Sequence, residues 1–286
     1  MMISNKMAKR SIKLLLVLLV CFIQPLHNKL KAQTYEQLVE QGISAAKADS
    51  LGKAEYFFRK ALHDSPKDYR NPLVYGNLAK VQVAQGHKER ALTSYDMALN
   101  LVPENVPLLM SRGGLYLEMG NLSKALFDYR KVIDVDPNNV EALQYMGYIF
   151  TQQHEYEKAK THYERLLTLD PDNYAAQLGV AVLFQEVGKP AEAIARLTHL
   201  AEIYPDKAEI FSMRAEIEEE NGQSELALMD LDKALEIEPA NTNMILTRAY
   251  IHLREGNKSK AKKDFERAIE LGVPRGKLKD ELKECR

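Results

Sequence analysis

Among the side chains able to do chemistry, the carboxylates are the most concentrated. Glu216, Glu218, Glu219 and Glu220 fall within five residues, with Glu209 upstream. Close carboxylates can serve as an acid and base pair, or attract a cationic ligand. On a helix, Glu216, Glu219 and Glu220 share one face at i, i+3 and i+4, where like charges repel by about a few tenths of a kcal/mol. A run that costs stability invites a functional reading, such as attraction for a basic segment. The competing reading is a solvated acidic face. Metal chemistry finds less support. His63, His87, His154, His162, His199 and His252 are scattered, with no i, i+4 pair and none near a cysteine, so metal-ligand spacing is missing. His154 and His162 could meet across a hairpin, but a turn histidine and a surface histidine is the simpler account. No phosphate loop, dinucleotide fingerprint or nucleophile elbow occurs. The residues therefore predict neither catalysis, nor a metal, nor a cofactor.

The two cysteines lie at the ends. Cys21 is inside an apolar run that continues beyond it and is preceded by Val20 rather than a small residue, so lipid modification is not favoured. Lys6, Lys9, Arg10 and Lys13 precede that run, Leu14 to Ile23, and no acidic residue occurs before Glu36. A basic leader ahead of a short apolar core is the pattern of a secretory signal, and a spanning helix needs about 20 apolar residues. Residues 1–32 are expected to act as a signal peptide cut after Ala32, or as an N-terminal anchor. The expected location is the periplasm or cell envelope. Cys285 is then the only thiol, so no internal disulfide can form.

Residues 1–32 hold six of the 39 Lys and Arg and none of the 40 Asp and Glu, so their loss leaves a net charge of −7. Nucleic-acid binding needs a basic stripe, which this balance does not supply. Membrane association is expected only through residues 1–32, if they stay uncut.

Positioning comes from a repeat. Ala54, Ala91, Ala125, Ala159, Ala193, Ala227 and Ala261 are spaced by 37 and then five times by 34. Four residues beyond each stands Phe58, Tyr95, Tyr129, Tyr163, Leu197, Leu231 or Phe265. Twelve residues before each stands Gly42, Ala79, Gly113, Gly147, Ala181, Ala215 or Ala249. Prolines 66, 103, 137, 171, 205, 239 and 274 keep nearly the same interval. Four registers agreeing over seven cycles define the unit.

Each unit reads as two helices. Val140 to Gln153 and Tyr156 to Leu169 carry apolar residues at helical spacing, among them Leu143, Met146 and Phe150. Gly86, Gly120, Gly188, Gly222 and Gly256 end first helices, because glycine tolerates the left-handed stop. Proline ends the second helix, and an Asn or Asp two residues later can cap the next. Small residues permit close helix crossing, so Gly147 with Ala159 is expected to touch within the hairpin, while Tyr163 fills space toward the next repeat.

These Gly/Ala, Ala, Tyr/Phe and Pro registers resemble the tetratricopeptide repeat family over residues 35–275. The resemblance implies an all-α fold: a right-handed α-solenoid of seven helix-turn-helix repeats over 33–275, starting near 35, 72, 106, 140, 174, 208 and 242. A C-terminal capping helix would follow at 276–286. The first repeat departs from the pattern, with Asp49 in the glycine position and three extra residues. In the family, first helices line a concave groove. By that resemblance Val83, Met110, Leu117, Tyr148, Leu178, Val182, Tyr250 and Leu253 would face a partner, joined by Glu216, Glu219 and Glu220. Such a surface suits an extended peptide or a partner helix; burial of some of these positions by superhelical packing is the competing reading. Some members bind chaperone C-terminal carboxylates through Lys, Asn and Arg. Asn77 meets one such position, but Arg112, Arg214 and Arg248 fall one residue off, on the packing side.

The implied function is a non-enzymatic scaffold holding a protein or peptide in envelope assembly, secretion or uptake. A self-associating structural component is the alternative, with a homo-oligomer as the partner. A ligand-binding or catalytic site on the acidic sixth repeat ranks last.

Overall fold

The computed structural model describes residues 33–286. The basic leader, the apolar run and the expected cleavage site lie outside them. Helices form hairpins in chain order: α1 (Tyr35–Lys47) with α2 (Leu51–Asp64) and α3 (Asn71–Ala84) with α4 (Lys88–Leu101); α5 (Val106–Glu118) and α6 (Leu122–Val135) come next in the chain. The hairpins continue as α7 (Val140–Gln152) with α8 (Tyr156–Leu169), α9 (Tyr174–Glu186) with α10 (Pro190–Ile203), α11 (Ala208–Glu220) with α12 (Ser224–Ile237), and α13 (Thr242–Arg254) with α14 (Lys258–Glu270). A 3-10 turn (Arg275–Leu278) and the short α15 (Lys279–Glu284) close the chain. The described residues contain no strand.

The turns follow from residue type. Gly86, Gly120, Gly188, Gly222 and Gly256 have φ between +72° and +78°, a left-handed conformation that costs glycine nothing. Asp49 (φ 53°) and His154 (φ 58°) hold the same conformation in the repeats that lack a glycine there. Caps follow the prolines: the side chains of Asn105, Asn139, Asn173 and Asn241 accept from the backbone N–H groups of Leu108, Ala142, Ala176 and Met244 at 3.0–3.3 Å. Arg70 organises the longer link after the first repeat. Its guanidinium donates to Asp68 and Glu36 at 2.6–2.8 Å and lies 4.4 Å over the Tyr35 ring. Burial, with the charge of Asp68 adding to it, pushes the Tyr35 phenol up to about 12.

The repeat registers are the core. All seven alanines, Ala54 through Ala261, are completely buried, and the large residue four positions beyond each is buried as well. Gly147 finds a nearer neighbour than Ala159. A Cβ at Gly147 would lie 2.6 Å from the Tyr163 ring, and one at Gly179 of the next repeat 2.4 Å from the same ring. The small residue thus admits the aromatic of its own second helix, which then reaches across to the following repeat. Gly42 does the same for Phe58.

The chain forms two compact units, one ending at Leu115 and one running from Tyr116. In the first, Ala54, Phe58, Leu62, Val74, Leu78 and Val81 make the core. The second holds one cluster around Ala193, Leu197, Leu200 and Ile210, and another around Leu231, Ile245 and Phe265 that takes in Leu278 and Cys285. No helix of the described residues is long and apolar enough to cross a membrane.

Candidate functional site

First helices present a face that the hairpin registers leave unused. Tyr148, Val182, Glu216 and Tyr250 recur at 34-residue steps on α7, α9, α11 and α13, one residue past the small residue that the hairpin buries. Leu117, Glu219 and Leu253 fall three residues farther along their helices, and Val83 shares that register in the first unit. In the second unit the Tyr148 ring stays 45% exposed, while Leu178 and Val182 are half-buried, Leu178 against the Ala193 cluster. Val83 and Met110 of the first unit are half-buried as well.

Toward α11 this face becomes acidic. Glu216 is exposed, and partial burial followed by the charge of Glu220 raises its carboxyl above the ordinary value. Glu220 accepts from Gln185 at 3.2 Å. Glu219 pairs with Arg254, while its second oxygen is buried without a partner. Two phenols fix further carboxylates on the adjoining first helices: Tyr156 donates to Glu186 at 2.8 Å and Tyr174 to Glu209 at 3.0 Å.

Tyr250 and Leu253 are engaged differently. The Tyr250 hydroxyl donates to Glu281 of α15 at 3.2 Å, and its ring meets Phe265 edge-on at 5.2 Å. Leu253 packs against the cluster shared with Leu278 and Leu282. The C-terminal segment therefore touches both positions, with Tyr250 still 45% exposed.

The opposite face of the first helices carries buried charge. Arg214 forks onto Asp230 with two 2.6 Å bonds, and Arg248 forks onto Asp264 at 2.7–2.8 Å while reaching Asp232 at 2.6 Å. Arg112 reaches Asp96 at 2.6 Å. Glu218 lies on this side, 6% exposed, with its Oε2 unpartnered. Burial and then Asp230 push its carboxyl up to about 7, against the pull of Arg214. His252, 34 residues on, is 7% exposed with Nδ1 unpartnered; burial, then the charge of Lys260, holds its imidazole below the ordinary value.

Sequence profiles described as tetratricopeptide repeat match residues 106–139, 128–161, 150–217, 208–241 and 243–271. The chain belongs to the tetratricopeptide repeat family. A tetratricopeptide repeat protein from Parabacteroides merdae is similar in structure, with 28% identity and a TM-score of 0.76 over 89% of this chain and 99% of that one. Pseudomonas aeruginosa pilF (16% identity, TM-score 0.57, 71% of this chain and 92% of that one) shares the fold. So does MamA from Desulfovibrio magneticus RS-1 (19% identity, TM-score 0.51, 58% and 94%). No curated protein sequence matches.

Within this tetratricopeptide array the glutamate run divides. Glu216 and Glu220 are exposed, Glu219 is largely covered beside Arg254, and Glu218 is buried. The Arg–Asp pairs were visible in the sequence as a 16-residue spacing (Arg214 to Asp230, Arg248 to Asp264), a signal the core registers overshadow. His154 and His162 do not meet: His154 bonds the Tyr156 hydroxyl at 2.8 Å and His162 lies against Phe150. Among the described residues no group of three or more His, Cys, Asp or Glu is placed to hold a metal ion.

Proposed function

We propose that this chain is a non-catalytic scaffold that holds a peptide or protein on the first-helix face of its second unit. Tetratricopeptide repeats are generally non-catalytic interaction modules, which favours a binding role over an enzymatic one. The observation that carries the placement is Tyr148. This residue is 45% exposed at a register shared with Val182, Glu216 and Tyr250, and Tyr250, equally exposed, is bonded to Glu281. Tyrosine is among the residues most enriched at the energetic centres of interfaces. The face runs from Tyr148, Leu178 and Val182 to Glu216, Glu219 and Glu220, so an apolar segment ending in basic residues fits it.

The test is affinity capture from native envelope extracts with the tagged chain. Tyr148→Ala with Leu178→Ala should cut recovery of the captured partner about tenfold. Unchanged recovery would remove the face assignment. Residues 1–32 would deliver the scaffold to the envelope, and mass spectrometry of the mature N-terminus should find Gln33 first. An N-terminus at Met1 on a soluble cytosolic chain would reject that delivery.

A further inference from the structure

Two clefts occupy the same place in different repeats. One lies between α2, α3 and α4 and has a volume of about 370 Å³; the other lies between α12, α13 and α14, at about 640 Å³. Allowing for the three extra residues of the first repeat, Arg59 corresponds to Asp232, Leu78 to Arg248 and Ser94 to Asp264. In the C-terminal cleft, which Lys263 and Arg267 also line among Glu236, Glu266 and Glu270, Arg248 is closed off by Asp232 on one side and Asp264 on the other. The N-terminal cleft inverts this arrangement. Two guanidiniums, Arg59 (2.9 Å) and Arg90, converge on the single carboxylate of Glu55. Ser94, a neutral hydroxyl, stands where Asp264 stands and hydrogen-bonds the buried Gln82 amide at 2.7 Å.

The charge balance is local and specific. Burial works against ionisation of Glu55, but the bonds from Arg59 and Gln82 and the charge of Arg90 hold its carboxyl below the ordinary value. One ionised carboxylate therefore faces two cations. On the rim, Lys60 and His63 both engage Asp64, so that carboxylate is already taken. Arg59 and Arg90 are each about half exposed. Arg59 also meets the Gln82 amide at 3.3 Å and Arg90 lies 3.3 Å from His87 Nδ1, but an arginine has five N–H donors, so both keep donors for a ligand. Leu62 and Leu78 supply a buried apolar floor, and Met97 an exposed apolar edge.

We propose that the α2–α3–α4 cleft is a carboxylate-binding subsite. Arg59 and Arg90 receive an acidic side chain from a partner polypeptide, which fills the place that Asp264 fills for Arg248. Its methylenes rest on Leu62, Leu78 and Met97. The subsite belongs to the first unit and does not depend on the Tyr148 face, so either can fail without the other. Residues 33–115 carry 10 basic and 9 acidic residues, against 23 and 31 for residues 116–286, so an acidic segment meets less repulsion here.

The experiment is fluorescence anisotropy of a labelled peptide alternating glutamate and leucine, titrated with the full chain at low salt. Its glutamine counterpart is the control and inorganic phosphate the competitor. The glutamate peptide should bind saturably, at least about tenfold more tightly than the glutamine peptide, and weaken with salt. Ser94→Asp supplies from within the carboxylate that Asp128, Asp230 and Asp264 supply at this register, and should abolish binding while leaving the circular dichroism melt intact. Arg59→Gln with Arg90→Gln should abolish it independently. Equal binding of the two peptides, or unchanged binding by Ser94→Asp, overturns the proposal. Displacement of the peptide by equimolar phosphate overturns it too, because the cleft would then be a site for a free oxyanion.

Discussion

Glu218 shows what burial does to one residue in a run of like residues. Its neighbours Glu219 and Glu220 reach Arg254 and Gln185, whereas Glu218 faces Arg214 and Asp230 with one oxygen unpartnered. An unpaired buried carboxylate is costly, so the neutral form is preferred and the group titrates at about 7 rather than 4.5. The sign of the effect follows. A folded-state value raised above the unfolded one contributes stability that is complete below about 4.5 and is lost as pH rises through about 7. Glu218→Gln removes that loss. In thermal melts by circular dichroism the variant should match the wild type near pH 4.5, pull ahead as pH rises, and keep a constant lead above about pH 7. A difference that does not change with pH would show that Glu218 is ionised in the fold throughout. His252 acts in the opposite direction: its imidazole is held below the ordinary value, so its contribution disappears as the solution turns acid. The sequence shows four glutamates as one feature, since the cost of each depends on what lies across the helix, and that is decided by the partner helix.

At the scale of helices and turns, most of the fold was legible, for a physical reason. Each small residue, alanine and large apolar or aromatic residue recurs, after the longer first unit, at 34 residues because successive hairpins bury equivalent surfaces, and the seven alanines are all fully buried. The close contact was harder to read. Period alone pairs Gly147 with Ala159, but the ring of Tyr163 takes that space and reaches Gly179, because side-chain direction as well as spacing sets who meets whom. Turn conformation was legible where glycine stood and hidden at Asp49 and His154, which hold the same left-handed backbone without it. These two positions carry conformational strain, and histidine more than aspartate, since Asp adopts this region more readily. His154→Gly should raise stability by about 0.5–1 kcal/mol, offset in part by loss of the exposed bond to Tyr156, and Asp49→Gly by less. Denaturant midpoints rank the two. If His154→Gly is the less stable variant, the Tyr156 contact outweighs the backbone strain.

For the array, the decisive property is that within each unit a repeat packs on the repeat next to it in the chain. Such arrays behave as a row of layers whose stability is a sum of intrinsic and nearest-neighbour contributions. The face of a terminal layer must then be covered or left open to water. At the C-terminus it is covered: Leu278 and Cys285 are buried in the cluster of Ile245 and Phe265, and Glu281 accepts from Tyr250. Deleting residues 275–286 uncovers that cluster and nothing else. Hydrogen exchange read by mass spectrometry should show protection falling in α13 and α14, with less change in α11 and α12 and none in α1 to α4. The loss should be local because Leu278 and Cys285 pack into the cluster of Ile245 and Phe265. Equal loss in every helix would mean that the chain unfolds as one body, and a partner held at one repeat would then stiffen all the others rather than its neighbours alone.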